Sequence, residues 1–326
     1  FFSQWKKLRD YAHSKKVKII GDVFTVNDAK VKLHGVNHHD MGFLFTPSCV
    51  AAYKLAGNEE GKAAAIMAAD HLLSRYQEKG EFIQAWGNVN DPKDNRLIID
   101  CLLNIPLLYW ASREKGDDRF KRIAMAHADT AIRTHLRADG SVAHIVEHNR
   151  ETGEVVATYG GQGIAEGSSW SRGQAWALYG FVISYIHTGE ERYLNAAKQV
   201  ANYFIANVCD DWLPRVDFRA PAEPVLYDST AGACAACGLL ELAKLLPENE
   251  GGAYAHAAVK MLRALNDRFA DYDPANDAMI THGTVRYPIP GVYNEKQSGV
   301  HISIIYGDYF FTEAILKLLG SDYFAW

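Results

Sequence analysis

The sequence predicts an all-α fold, a closed ring of helical hairpins with short strands in the long links. Three observations carry that expectation. Four segments repeat one pattern of apolar helix, short polar turn and Ala-faced helix. Their turns recur at a roughly even spacing of about 60 to 70 residues, too long for the common short solenoid repeats. The links between them differ sharply in composition, being rich in Gly, Pro, Trp, Tyr, His and Asp.

The hairpins are AAYKLAGNEEGKAAAIMAADHLLSRY from Ala51, LLYWASREKGDDRFKRIAMAHADTAIRTHL from Leu107, LYGFVISYIHTGEERYLNAAKQVANYFIANV from Leu178 and LLELAKLLPENEGGAYAHAAVKMLRALNDRF from Leu239. Their turns fall near Gly57, Gly116, Gly189 and Gly251. Glycine ends one helix in the left-handed region, and the acid that follows favours the next helix N-terminus. The second helices carry Ala at helical spacing, as at Ala64, Ala68 and Ala69, which lets neighbours approach closely. Dividing 326 residues by roughly 60 gives about five to six hairpins. Short turns then lie at one end of the ring and the long links at the other, where function concentrates. A short strand is expected around Val142 to Val146. No linker or composition shift divides the chain, so residues 1–326 are read as one domain. The chain begins at Phe1 and not Met, which leaves open a truncated N-terminal part, a signal peptide included.

Composition narrows the function classes. A net charge of −5 without a basic run argues against nucleic-acid binding. No run of 18 or more apolar residues suggests a membrane span. The five cysteines are odd in number and set among small or apolar neighbours, so a disulfide framework is not expected. A reducing, cytoplasmic setting fits, with the periplasm as the alternative if a signal peptide was removed. Cys234 and Cys237 form a lone CxxC inside an Ala-rich helical run, read as a buried helix face in preference to a redox or zinc site. Several of the seven Trp sit beside Gly, Ser, Arg and Gln, a mixture suited to a carbohydrate cleft.

Two carboxylates stand where a long link gives way to an apolar helix. Asp40 lies in HHDMGF and Asp100 in RLIIDCLLN. Either could be only an N-cap. For Asp100 the flanking apolar run predicts burial, which disfavours the charged form and suits a proton donor. His38 and His39 beside Asp40 are adjacent, not at the i, i+4 spacing of a helical metal site, so no metal is expected. Gly42 leaves room for backbone or ligand. The link YGGQGIAEGSSWSRGQAW reads as a pocket wall. Gln162, Arg172 and Gln174 can hold hydroxyls or a carboxylate, and Trp170 and Trp176 offer stacking faces.

With these residues assembled, the chain resembles the unsaturated glucuronyl hydrolases, glycoside hydrolase family 88. The matching stretches are HHDMGF, FIQAWG, RLIIDCLLNIPLLYWA, SSWSRGQAWALYGF, DSTAGACAACGLLELA and YGDYFFTEAILKL, in order from about Val36 to Leu319. The resemblance implies an (α/α)6 barrel and action on di- or oligosaccharides that carry a 4,5-unsaturated uronic acid at the non-reducing end. It implies hydration of the C4=C5 enol ether in place of displacement at the anomeric carbon, without metal or organic cofactor. By match, Asp100 is the general acid at C4 that then helps activate water, and Asp40 is the second carboxylate holding sugar hydroxyls. His144, Gln162, Arg172 and Trp176 match uronate-subsite residues, and Trp86 an aromatic beside the catalytic pair. Lys296 and Ser298, in YNEKQSGVH, fall where relatives vary in sulfate recognition.

The chain also departs from the pattern. Relatives carry His immediately before the matching glutamine, where this chain has Gly161. A Trp-rich N-terminal wall segment is reduced at most to Phe1 and Phe2. The rival readings are an unsaturated rhamnogalacturonyl hydrolase, a sugar 2-epimerase and an inactive sugar-binding relative.

Overall fold

The computed structural model describes residues 36–91, 93–289, 291 and 299–326. Lys296, Ser298 and the Phe1-Phe2 start lie outside the described residues. The chain enters through α1 (Met41–Phe45), a π-helical turn (Thr46–Val50) and α2 (Ala51–Ala56). Pro47 has no N–H to give the carbonyl of Phe43, and the helix loosens where that bond is missing. Then follow α3 (Glu59–Ser74), a two-stranded ribbon of β1 (Tyr76–Gln77) and β2 (Phe82–Ile83), β3 (Arg96–Ile98) and a 3₁₀ turn (Ile99–Leu103). Next come α4 (Pro106–Lys115), α5 (Asp118–Thr134), β4 (Ile145–His148) and β5 (Val155–Tyr159). The remaining helices are α6 (Ser171–Thr188), α7 (Glu191–Asn207), α8 (Ser229–Leu245), α9 (Glu248–Phe269) and α10 (Ile305–Leu318).

In the hairpins from α4 onward the first helix is internal and the second external, whereas α2 of the first hairpin buries none of its residues. α6 is buried without interruption from Ser171 to Ser184, and α8 from Ser229 to Leu242. By contrast α3, α5, α7 and α9 each bury one stripe, and Ala64, Ala68 and Ala69 lie on it as expected. α4 packs on α6, α6 on α8 and α8 on α10. The two ends of the described chain then meet. Phe43 lies edge-on to Trp326 at 6.4 Å, and Lys54 donates to the carbonyls of Phe324 and Ala325 at 3.0 and 2.9 Å.

Gly57, Gly116 and Gly189 take φ of 63°, 65° and 73° and end their helices as the sequence predicts. Asn58 and Asp117 cap the helices that follow. The fourth turn differs. Gly251 sits inside the first turns of α9, and the break is at Leu246-Pro247, because Pro fits a helix start and cannot continue the previous one. A Cβ on Gly251 would come 2.4 Å from the Ala243 carbonyl, so this glycine serves close helix contact instead.

The expected strand near Val142 begins slightly later. β3, β4 and β5 form an antiparallel sheet with Arg96 opposite Glu147 and Ile145 opposite Tyr159, while Val142 makes only an isolated bridge to Leu136. Cys234 and Cys237 are buried in α8, their thiols pushed well up by burial and directed at the carbonyls of Ala175 and Phe310. They form the small-residue helix face read from the sequence. Among the described residues no helix is long and apolar enough to cross a membrane.

Candidate active site

The Asp40 corner is built by pairing with the FIQAWG segment. His39 donates its backbone N–H to Ala85 at 2.9 Å, and His38 bridges Trp86. Arg75 holds the far side of that segment through the carbonyls of Gln84 and Gly87. Trp86 is thereby left 43% exposed beside the carboxylate. Asp40 is the N-cap residue of α1 by position, yet its side chain makes no capping bond. Its Oδ2 lies 3.2 Å from His38 Nδ1, its Oδ1 3.5 Å from His39 Nε2, and Asn104 Nδ2 donates to Oδ1 at 3.4 Å. Burial pushes this carboxyl up, but His39, His38 and the Asn104 amide together outweigh it and hold Asp40 below the ordinary range. Burial pushes His39 down, with Asp40 the largest opposing influence. Gly42 is required by backbone and not by ligand: a Cβ there would come 2.3 Å from Asn104 Cα.

Asp100 lies in the 3₁₀ turn that ends β3, where Ile99 donates to the His144 carbonyl at 3.0 Å. Its side chain is 21% exposed, more open than the apolar run around it suggests. Its two oxygens differ. Oδ1 is buried and accepts no hydrogen bond, and the nearest donor-capable atom is His144 Nε2 at 3.5 Å. His144 Nδ1 accepts the Gln162 backbone N–H at 2.9 Å. The Gly160 carbonyl lies farther from the same nitrogen, at 3.3 Å; with the shorter Gln162 N–H contact donating to Nδ1, the ring proton is assigned to Nε2, facing Asp100.

The wall from Tyr159 to Trp176 is organised by a buried acid. Asp217 accepts backbone N–H groups from Ile164, Ser169 and Arg219. Gly161 adopts φ 61°, and a Cβ there would fall 2.0 Å from His144 Nδ1. The position at which relatives carry His is therefore one where this chain has no space for any side chain. Gln162 donates from Nε2 to the Val285 carbonyl at 2.6 Å. Arg172 is 2% exposed. Its guanidinium donates to the Asp228 carboxylate at 3.0 and 3.3 Å and to the carbonyls of Thr284 and Val285, and it lies over the Trp170 ring. Burial pushes Asp228 up, with Arg172 opposing.

The structure thus joins Asp40, Asp100, His144, Gln162 and Arg172 through successive contacts by way of Asn104 and Val285, with Trp86 tied to the Asp40 segment by its backbone bridge to His38. Four expectations are corrected. Arg172 is not free to hold a ligand, because Asp228 and the Thr284 and Val285 carbonyls take up its guanidinium. Trp170 and Trp176 do not present open stacking faces, each being only 2% exposed. Trp170 packs on His144, and Trp176 on Phe43, Tyr306 and Phe310. Gln174 has its amide taken up by Val142, Ser169 and Gly140. Aromatic surface comes instead from Trp86 and from Tyr306, which is close enough to Arg172, Asp40 and Asp100 to feel all three charges. Tyr306, Asn104 and Asp228 were not singled out by sequence, although each lies inside a motif that was. Among the described residues no cluster of three or more His, Cys, Asp or Glu side chains could hold a metal ion. A separate cavity of about 380 Å³, lined among others by Tyr109, Arg113, Lys121 and His187, involves none of the site residues.

Comparison with known proteins gives a consistent picture. No family model matches the chain. An unsaturated chondroitin disaccharide hydrolase from Streptococcus pneumoniae is 38% identical over 321 residues, 97% of this chain and 77% of that protein. The crystal structure of an unsaturated glucuronyl hydrolase responsible for glycosaminoglycan degradation, from Bacillus sp. GL1, superimposes with a TM-score of 0.84 at 37% identity, covering 90% of this chain and 78% of that one. A variant of the Streptococcus agalactiae unsaturated glucuronyl hydrolase, solved in complex with dGlcA-GalNAc6S, gives a TM-score of 0.76 at 29% identity over 99% of this chain and 77% of that one.

Proposed function

We propose, from the premise that the chain belongs to the unsaturated glucuronyl hydrolase family of glycosidases, that Asp100 and Asp40 hydrate an enol ether. The substrate is a di- or oligosaccharide of glycosaminoglycan type with a 4,5-unsaturated uronic acid at its non-reducing end. Asp100 delivers a proton to C4, and positive charge develops across C5 and the ring oxygen. The Asp100 carboxylate then takes a proton from the water that attacks C5. The resulting hemiketal opens to a ketone at C5, leaving a hemiacetal at C1 that expels the second sugar as an alcohol. The acid is regenerated, so no metal, redox group or covalent intermediate enters the balance.

The observation that carries this reading is the asymmetry of Asp100. One oxygen is buried against His144 Nε2–H while the side chain remains partly open. A ring nitrogen facing Oδ1 across 3.5 Å leaves Oδ2 to exchange a proton with the substrate. Asp40, held ionised, sits where it can accept hydroxyls and stabilise developing positive charge. The uronate end is placed beside Gln162, with the buried Arg172, Trp170 and Trp176 backing that wall and the exposed Trp86 flanking the sugar. Lys296 and Ser298 are proposed to contact sulfate or hydroxyl groups of the second sugar. The five unpaired cysteines support a cytoplasmic site of action.

The deciding assay follows the ultraviolet absorbance of the enol ether in lyase-generated chondroitin, hyaluronan, heparin and rhamnogalacturonan disaccharides. Absorbance should fall on a glycosaminoglycan disaccharide. Asp100→Asn should slow it by roughly two to four powers of ten. Absorbance untouched on all four would sink the hydrolase reading, and isomerisation with the double bond intact would favour an epimerase.

A further inference from the structure

Asn104 is buried between the two carboxylate-bearing segments. Its Oδ1 accepts the Phe43 N–H at 2.9 Å. That bond settles the amide orientation, because a backbone N–H needs an acceptor. The –NH₂ group must therefore point the other way, where Nδ2 lies 3.4 Å from Asp40 Oδ1 and 3.4 Å from the Asp100 carbonyl. One amide thus reaches the α1 backbone, the Asp40 carboxylate and the turn that carries Asp100. The Gly42 backbone is seated directly against Asn104 Cα, so the two segments cannot slide without disturbing this residue.

We propose that Asn104 is a positioning residue for the reaction, fixing the Asp40 carboxylate relative to the turn that presents Asp100. The inference rests on the reading of those two aspartates as the reacting pair. An N–H donor favours the ionised carboxylate, so removing it should raise the acid limb of the pH profile. The other titratable groups that act on Asp40 are His38 and His39 on its own segment, Arg75 from the α3 end, Cys101 from the 3₁₀ turn and Tyr306 from α10, while Asp100 acts on His39, Cys101 and Tyr306 beside it. None of them replaces a neutral donor at this point.

Asn104→Asp keeps the acceptor for Phe43 but replaces the donor with a carboxyl oxygen that repels the Asp40 carboxylate, so Asn104→Ser is the cleaner loss of the donor. Asn104→Ser loses the reach to both. For each, kcat should fall roughly 10- to 100-fold with KM little changed, and the acid limb of kcat/KM should move up by about one pH unit. In an Asp40→Asn background the same substitutions should have almost no further effect on kcat, since the group that Asn104 positions is already gone. Superimposable pH profiles with kcat within about threefold of wild type, or equal losses in both backgrounds, would overturn the proposal. So would failure of both variants to fold, which would make Asn104 a purely structural residue. Asp100→Asn measured in parallel separates the two readings: full activity there defeats the catalytic assignment itself, whereas an inactive Asp100→Asn with silent Asn104 variants defeats only this inference.

Discussion

His144 and Asp100 face each other at 3.5 Å, Nε2 to Oδ1, while the Gln162 backbone N–H holds the opposite ring nitrogen at 2.9 Å. Two links of the chain, one carrying Asp100 and the other both His144 and Gln162, are thereby fastened together. The imidazole is oriented by main chain, so its role does not depend on a second side chain.

Replacing His144 by Ala removes the donor that faces Asp100 Oδ1 at 3.5 Å. A charge-assisted hydrogen bond that closes between them only as Asp100 ionises in the reaction is worth about 1.5–3 kcal/mol, so kcat should drop roughly 10- to 150-fold while far-ultraviolet circular dichroism is unchanged. A kcat equal to wild type would remove His144 from the mechanism.

Gly161→His introduces the residue that relatives carry beside the glutamine. Because a Cβ there would lie 2.0 Å from His144 Nδ1 and the backbone is left-handed, the new side chain must displace His144. Activity should fall by about as much as in His144→Ala, with about 1–3 kcal/mol lost in stability. Improved turnover would show that the loop can rebuild around a second histidine.

Asp228→Asn leaves the buried Arg172 guanidinium without its counter-ion. Breaking one side of a buried pair typically costs about 3–5 kcal/mol, which urea unfolding would read as a large drop in midpoint at unchanged slope. A change under about 1 kcal/mol would mean that the Thr284 and Val285 carbonyls suffice to hold the cation.

Stability should fail on mild acidification. Burial pushes His135 down to about 3 from its ordinary 6.5, with the Ala143 carbonyl opposing, and it pushes His127 well down too. The unfolded chain takes up these protons first. The contribution is complete above 6.5 and is lost as pH falls toward 3, at about 1.4 kcal/mol per pH unit for each ring. Asp40, with its depressed value, loses its contribution only below the ordinary carboxylate range. Asp228, pushed up by burial, works against the trend by taking up its proton earlier in the folded chain than in the unfolded one. The histidines are therefore read from about pH 6.5 downward by their effect on the slope. Urea midpoints over that range should fall steeply, and His135→Asn should flatten the slope by one ring's share. An unaltered slope would show that His135 is not among the groups responsible.

Much of this was legible in the sequence, for identifiable reasons. Helical hairpins announce themselves through Ala stripes and turn glycines, and a carboxylate within an apolar run such as LIIDCLL is too expensive to be accidental. The misreadings share one cause: local sequence does not reveal distant partners. Gly251 reads as a turn because nothing nearby shows that Ala243 will press against it, while Pro247 marks the true break. Trp176 beside Gln and Arg resembles a stacking face, yet Phe43 and Tyr306 cover it from other elements. Arg172 reads as a free ligand-binding cation until Asp228, many residues later, is seen to hold it. Asn104 resembles an ordinary helix-start residue, and only the fold brings Phe43 and Asp40 to its amide.

The contact between the two ends of the described chain sets a schedule for synthesis. Lys54 meets Ala325 across a separation of 271 residues, and Phe43 packs on Tyr306 and Trp326. A polypeptide leaving the ribosome at about 5–20 residues per second displays Asp40, Asp100 and His144 long before Tyr306 exists. Through most of translation the cleft lacks a wall, and the apolar faces awaiting α10 remain open to solvent and to chaperones.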